Sequence, residues 1–384
     1  MVPRGHGRWV FGCGSGLGEG ALPLFRLVAA DRSIGAVWLV KNEAELDAAR
    51  ALAIPAVLKT SARGFWLTLR AEVIVVTHGF GDANRFATHG GFIVQLWHGI
   101  PLKLIQLDSP ATMAIGTFRG AGRLRGLLRR AYRRGYQSIG LIPAASERAA
   151  DRLRTAFGVA AFRVVVTGDA RDDVLSGGSD LRTHSRDLLN KTLAHPVLDR
   201  TILYAPTWRD GDRDPGAPTA DQWQRIDEYL IASATTMILR PHPHGLGDYA
   251  HGLLLANVQL LSSGMVSDVN LILSGIDVLV TDYSSIAFDF ALTGGAILFL
   301  APDEDAYTAA RGLYEPYRDF SAGRAVRSWD GILDQLQRLD SDAEWLNQVR
   351  SESAELRDRH FAFTDGHNSE RVVEAIRRTI RDRS

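Results

Sequence analysis

Short apolar runs alternate along the chain with longer segments whose apolar positions recur at helical spacing. In the first half the runs are Trp9–Gly12, Gly35–Val40, Ala56–Leu58, Val73–Thr77, Phe92–Trp97, Ser138–Ile142 and Arg163–Thr167. In the second half they are Thr201–Tyr204, Met237–Arg240, Val258–Leu261, Val278–Thr281 and Ala296–Leu300. Strands alternating with amphipathic segments predict parallel sheets with helices on their faces, an α/β fold. Between the two sets lies "SGGSDLRTHSRDLLNKTLAHPVLDR", polar and broken by Gly, Ser and Pro, which reads as a linker plus a helix. The expected organisation is a first domain over 1–178, a linker over 179–198, and a second domain over 199–384 that ends in a helix. No internal repeat or low-complexity stretch interrupts it.

Length agrees, since 384 residues exceed one ordinary core and suggest about two domains. Hydrophobic residues at 46% and charged residues at 23% describe an ordinary globular protein. A formal net charge of zero gives no global reason to expect nucleic acid as a partner. The single cysteine, Cys13, rules out an internal disulfide framework and a cysteine-rich zinc site, and fits a reducing compartment. "MVPRGHGRWVFGCGSG" holds no apolar segment long enough for a signal peptide, and no run is long enough to span a bilayer. The expected location is the cytosol, with the membrane surface still open.

One segment departs from neutrality. From Ser109 to Ser146 there is no acidic residue, while Arg119, Arg123, Arg125, Arg129, Arg130, Arg133 and Arg134 are basic. Leu124, Leu127, Leu128, Ala131 and Tyr132 supply apolar positions at near-helical spacing within the cluster. Such a helix can lie on anionic lipid, with arginines near phosphates and leucines in the acyl boundary. The bland alternative is a solvated helix whose apolar side packs on its own domain. Nucleic acid lacks the aromatic interleaving or motif that would support it.

The glycine-rich "FGCGSGLGEG" after the first strand invites a dinucleotide-binding reading and fails on spacing, because no triplet reads G-x-G-x-x-G. It is read instead as a close-approach loop. Chemistry is expected where predicted strands end, since in an open α/β sheet the carboxyl ends face one crevice. "FIVQLWHGIPLKLIQLD" places His98 and Gly99 there, with Lys103 shortly after. "ILYAPTWRDG" offers Thr207 and Arg209, "MILRPHPHG" offers Arg240, His242 and His244, and "VVVTGDARDDVL" offers Arg171 and Asp173. "DVLVTDYSSIAFDFALTGG" presents Asp282, Ser284 and Ser285 before a predicted helix, Ile286–Leu292. Hydroxyls and free N–H groups at such a cap suit a phosphate or diphosphate, although plain capping needs no ligand. Prolines around His242 hold it extended, but His242 and His244 lack an obvious third metal ligand. "PDEDAY" could bind Mg²⁺, and a solvated acidic loop is the favoured reading.

In this order, "QLWHGIPLK", "YAPTWRD", "LRPHPH", "DVLVTDYSSIAFDFALTGGAILFL" and "DGHNSERV" resemble the CDP-glycerol glycerophosphotransferase family, enzymes that prime and polymerise wall teichoic acids and build some capsules. The resemblance implies a GT-B-like architecture in which two Rossmann-like domains face a central cleft, with the donor mainly in the C-terminal domain. It implies His98 as the base near the acceptor hydroxyl and His242 as a contact to the phosphate being transferred. Arg240, Asp282, Ser284 and Ser285 would bind the donor diphosphate. Gly99, Lys103, Arg171, Thr207, Arg209, Asp365, Ser369 and Arg371 are further cleft candidates. Where the family more often has "TGYPRND", this chain has "TGDARDD", with Asp169, Ala170 and Asp172 as the departures.

The implied reaction transfers an alditol phosphate, glycerol phosphate first, from CDP-glycerol or CDP-ribitol to a lipid-linked saccharide or polyol-phosphate acceptor. No metal or other cofactor is expected to be essential, and Mg²⁺ dependence stays open. The arginine cluster would hold the enzyme on the inner face of the cell membrane. Competing readings are a GT-B sugar glycosyltransferase using a UDP- or GDP-sugar and a non-catalytic lipid- or polymer-binding protein. Oligomeric state is not legible in the sequence.

Overall fold

The computed structural model describes residues 3–110, 112, 121–209, 213–241 and 247–383. The chain forms two compact units: residues 1–100, 105–173 and 360–384, and residues 101–104 and 174–359. The first holds β1 (Gly5–Gly12), β2 (Gly35–Val40), β3 (Ala56–Leu58), β4 (Ala71–Val76), β5 (Phe92–Gln95), β6 (Ile139–Ala144) and β7 (Val164–Val166). They pair in the order β3-β2-β1-β4-β5-β6-β7. The second unit holds β8 (Arg200–Ala205), β9 (Thr235–Leu239), β10 (Val258–Leu260), β11 (Val278–Thr281) and β12 (Ala296–Phe299) in the order β10-β9-β8-β11-β12.

Every pairing among these strands is parallel. β5, β9, β11 and β12 are buried along their whole length, as expected of strands covered by helices on both faces. In each sheet the order reverses beside the first strand, between β1 and β4 and between β8 and β11, and such switch points are where α/β sheets bind ligands.

Helix starts follow local chemistry. Ser61 and Ser146 accept the N–H groups of Gly64 and Ala149, and Thr219 with Gln222 forms a reciprocal capping box.

The boundaries differ from the sequence expectation in two places. Residues 179–192 form a helix of the second unit rather than a linker, and the division falls at Asp173/Val174. The final helix, Asn368–Arg381, belongs to the first unit, with Val372, Val373, Ala375 and Ile376 buried in its core. Each of its larger aliphatic side chains contributes about 1.5–3 kcal/mol by leaving water. The Asp173 carboxylate fixes the start of the helix, accepting the N–H groups of Asn368 and Ser369, both at 2.8 Å.

Candidate functional site

Each unit gathers polar groups at its own switch point. In the first, β4 ends at Val76 and is followed by Thr77 and His78; β5 ends at Gln95 and is followed by Trp97, His98 and Gly99. The His78 and His98 rings stack, with centroids 4.4 Å apart and planes within 9°, and the Trp97 and His98 ring centroids are 4.1 Å apart, tilted by 31°. His98 Nδ1 is buried without a hydrogen-bond partner. Burial first, then the charges of His78 and Arg171, push the His98 imidazolium down to about 3, with the Thr77 carbonyl opposing them. His98 is therefore a neutral imidazole near neutral pH.

A glycine must follow His98 because an arginine crosses there. Arg171 Nη1 donates to the His98 carbonyl, and a Cβ on Gly99 (φ 118°) would meet that same nitrogen at 2.5 Å. The loop after β1 makes a similar approach from the other side. A Cβ on Gly14 would lie 2.4 Å from the His78 ring, while the Gly14 N–H donates to Thr77 Oγ1 at 3.2 Å. The close-approach reading of "FGCGSGLGEG" holds. His78 was missed, although it follows a predicted strand as directly as His98 does.

The "TGDARDD" and "DGHNSERV" motifs meet in the first unit and are joined by structural bonds. Besides the Asp173 cap, Asn368 Nδ2 donates to the Asp169 carbonyl at 3.1 Å. Arg371 pairs with both Asp365 oxygens and stacks over Phe363 at 3.9 Å. Asp365 and Arg371 pair with each other, and the Ser369 N–H is held by Asp173, so all three help secure the start of the C-terminal helix.

In the second unit an open cleft of ≈ 520 Å³ lies at the carboxyl ends of β8, β9 and β11, lined by Lys103, Thr207, Trp208, Arg240, Ser284 and Tyr307, with Pro206, Pro241, Ser263 and Arg311. That size suits a small ligand. Thr207 Oγ1 is buried without a hydrogen-bond partner. Ser284 Oγ accepts the Ile286 N–H at 3.4 Å, while Ser285 is the N-cap of Ile286–Ala291 and makes no side-chain cap bond. Arg240 donates to the carbonyls of Leu261, Ser262 and Val266, which ties the adjoining loop to the end of β9.

Lys103 reaches this cleft from a short segment of the chain's first half. Lys103 bridges Leu313, the Leu104 N–H donates to the Gly312 carbonyl at 3.1 Å, and the Tyr314 N–H donates to Leu102 at 2.9 Å. Lys103 Nζ lies 5.9 Å from the Tyr307 ring centroid. Burial pushes its ammonium down to about 8, Asp282 opposes that shift, and Arg209 and Arg311 add to it.

Asp282 and Arg209 bond to each other beside the cleft-lining Thr207. Asp282 turns its carboxylate inward and accepts the Thr207 N–H at 2.9 and 3.0 Å. Arg209 donates to Asp282 at 3.1 Å and grips Asp303 through two bonds, at 2.8 and 2.9 Å, while stacking over Tyr307 at 4.6 Å. These bonds hold the "PTWRD" and "TDYSS" loops together. Asp303, the first acid of "PDEDAY", is committed to Arg209 and to the Tyr283 hydroxyl. His242, His244 and Arg119 lie outside the described residues.

The arginine cluster forms the helix Ala121–Tyr136 in the first unit. Every position from Gly122 to Gly135 is exposed, including Leu124, Leu127, Leu128 and Tyr132. The alternative in which its apolar side packs on its own domain is not what this unit does. Among the described residues, no helix is long and apolar enough to cross a membrane.

Similar proteins carry related names. The teichoic acid glycerol-phosphate transferase of Staphylococcus aureus is 27% identical over 337 residues, covering 84% of this chain and 80% of the relative. The teichoic acid ribitol-phosphate polymerase TarL of the same organism is 28% identical over 296 residues, covering 73% of this chain but 47% of the relative. The chain thus spans about half the length of TarL and of the related polymerase TarK. In fold it resembles the wall teichoic acid polymerase TagF, with a TM-score of 0.76 at 20% identity over 99% of this chain and 90% of that one. The two Rossmann-like units are accordingly of the GT-B-like class. Residues 23–378 match the family described as CDP-Glycerol:Poly(glycerophosphate) glycerophosphotransferase, and the chain belongs to that family.

Proposed function

We propose that this protein transfers an alditol phosphate, glycerol phosphate first and ribitol phosphate second, from a CDP-alditol to a hydroxyl of a lipid-linked or polymer acceptor in teichoic acid or capsule synthesis. CMP leaves as the acceptor oxygen bonds to the phosphorus that carries the alditol. The observation that carries this reading is the second unit's cleft, where Lys103 and Arg240 stand with the hydroxyls of Thr207 and Ser284 and the rings of Trp208 and Tyr307. Cations and hydroxyls suit a diphosphate, and the rings suit a base or a sugar. A relative in fold, TagF, has been solved after soaking with CDPG.

In this reading the cleft holds the donor and stabilises charge on the transferring phosphoryl oxygens, with His242 as a further contact. His98 in the first unit takes the acceptor's hydroxyl proton. The test is CMP release from CDP-glycerol and CDP-ribitol with a lipid-linked disaccharide or short polyol-phosphate acceptor. Acceptor-dependent release is expected. With Lys103 charged below about 8 in the free enzyme, kcat/KM should fall as pH rises through that value. Transfer of sugar from a UDP- or GDP-sugar, with no CMP released from either CDP-alditol, would replace this assignment.

The exposed helix Ala121–Tyr136 is proposed to dock on anionic lipid at the cytoplasmic face of the membrane, because Leu124, Leu127, Leu128 and Tyr132 stand uncovered among Arg123, Arg125, Arg129, Arg130, Arg133 and Arg134. Each arginine near such a surface contributes about 1 kcal/mol. Replacing all six with glutamine should therefore weaken binding to phosphatidylglycerol–phosphatidylcholine vesicles by at least about 100-fold at low salt. Unchanged sedimentation with the vesicles would remove the membrane from the proposal.

A further inference from the structure

The loop after β1 brings three unlike ligand atoms together at the switch point of the first unit, and the transfer reaction uses none of them. Cys13 follows β1, Glu19 precedes the helix Ala21–Ala29, and His78 follows β4. Cys13 Sγ lies 3.6 Å from Glu19 Oε2, and Glu19 Oε2 lies 3.9 Å from His78 Nδ1. One ligand atom from each of the three falls within 4.8 Å of the other two. A tetrahedral zinc ion with ordinary bond lengths sets its S···O edge at about 3.5 Å and its O···N edge at about 3.3 Å. The S···O and O···N spacings lie close to these edges, and the third pair falls within 4.8 Å.

Two hydroxyls flank the cluster. Ser15 Oγ lies 3.0 Å from Cys13 Sγ, and Thr77 Oγ1 lies 2.8 Å from His78 Nδ1. When a metal takes Nδ1, the Thr77 hydroxyl gives up that contact, still accepts the Gly14 N–H and donates to Asp82 Oδ2 at 3.3 Å. Cys13 is buried, whereas the His78 side chain is 39% exposed, so an ion enters from the His78 side and keeps a fourth position for water.

We propose that Cys13, Glu19 and His78 form a binding site for a zinc-class divalent ion, and that the bound ion fixes the ring on which His98 stacks. A thiolate with an imidazole selects borderline-soft ions such as Zn²⁺ and Co²⁺ over Mg²⁺ and Ca²⁺, which demand oxygen ligands. The thiol proton passes to solvent as the S–metal bond forms. The ion is separate from any Mg²⁺ that a donor diphosphate would carry, and the inference does not depend on the proposed transfer reaction.

Titration of the whole chain with Zn²⁺ alone, followed calorimetrically, and with Co²⁺ alone, followed by absorption, tests the site. One equivalent should bind, and Co²⁺ should give a thiolate-to-metal charge-transfer band with tetrahedral-type visible absorption. C13S should abolish that band, and E19Q and H78A should each weaken Zn²⁺ binding at least tenfold, with excess Mg²⁺ having no effect. The last two variants alter more exposed side chains and keep the test sound should C13S fold poorly. A missing charge-transfer band, or affinity unchanged in both E19Q and H78A, would overturn the assignment.

Discussion

His98→Ala should lower acceptor-dependent CMP release by about 10²–10⁴-fold in kcat while leaving donor KM close to that of the wild type. The direction follows from protonation state. Burial, His78 and Arg171 keep the His98 imidazole neutral, the form that can accept a proton. A group held down to about 3 is a weak base until substrate arrives. An anionic diphosphate or polyol phosphate beside it opposes the fields of His78 and Arg171 and raises its basicity when the proton must move. Both Trp97 and His78 pack their rings against the imidazole, which limits its orientation before binding. Steady-state kinetics with saturating donor and acceptor measure the effect, with thermal unfolding as the control for folding. A loss below about tenfold would make His98 a packing residue and send the search for the base elsewhere.

The strands were legible because parallel strands covered on both faces must be apolar along their length; Val278–Thr281 is the clearest case, predicted and observed over the same residues. Strand ends then located His98, Thr207 and Ser284. Three things were hidden, each for a physical reason. An amphipathic helix shows which face is apolar but not which core receives it, so the return of Asn368–Arg381 to the first unit could not be read from its periodicity. The capping bond from Asp173 that anchors it spans just over half the chain. Lys103 sits five residues beyond His98, yet its segment joins the second unit through backbone pairing with residues 312–314, which no local pattern encodes. Asp282 is identified correctly as a strand-end acid. Its orientation depends on Arg209, and whether a carboxylate faces a ligand or a buried guanidinium is decided by tertiary packing alone.

Arg209→Met should destabilise the second unit by about 3–5 kcal/mol at neutral pH, the usual cost of stranding buried charges. Arg209 is 9% exposed and serves Asp282, which is 3% exposed, together with Asp303. Burial works against its charge, but the two carboxylates more than offset this and hold its guanidinium well above the ordinary arginine range. Asp303 responds in the opposite sense: burial alone would raise it, yet the bonds from Arg209 and the Tyr283 hydroxyl keep its carboxyl below the ordinary range. A depressed carboxyl contributes stability above its unfolded pKa and loses it as pH falls through the folded value. The gap between wild type and variant should therefore be full at neutral pH and narrow in acid, as Asp303 takes up a proton. Methionine keeps much of the contact with Tyr307, so lost packing is a minor part of the difference. Denaturant midpoints at neutral and acid pH read both halves of the prediction. A variant as stable as the wild type but unable to use CDP-glycerol would make Arg209 a substrate ligand instead of the residue that locks the two loops beneath the cleft.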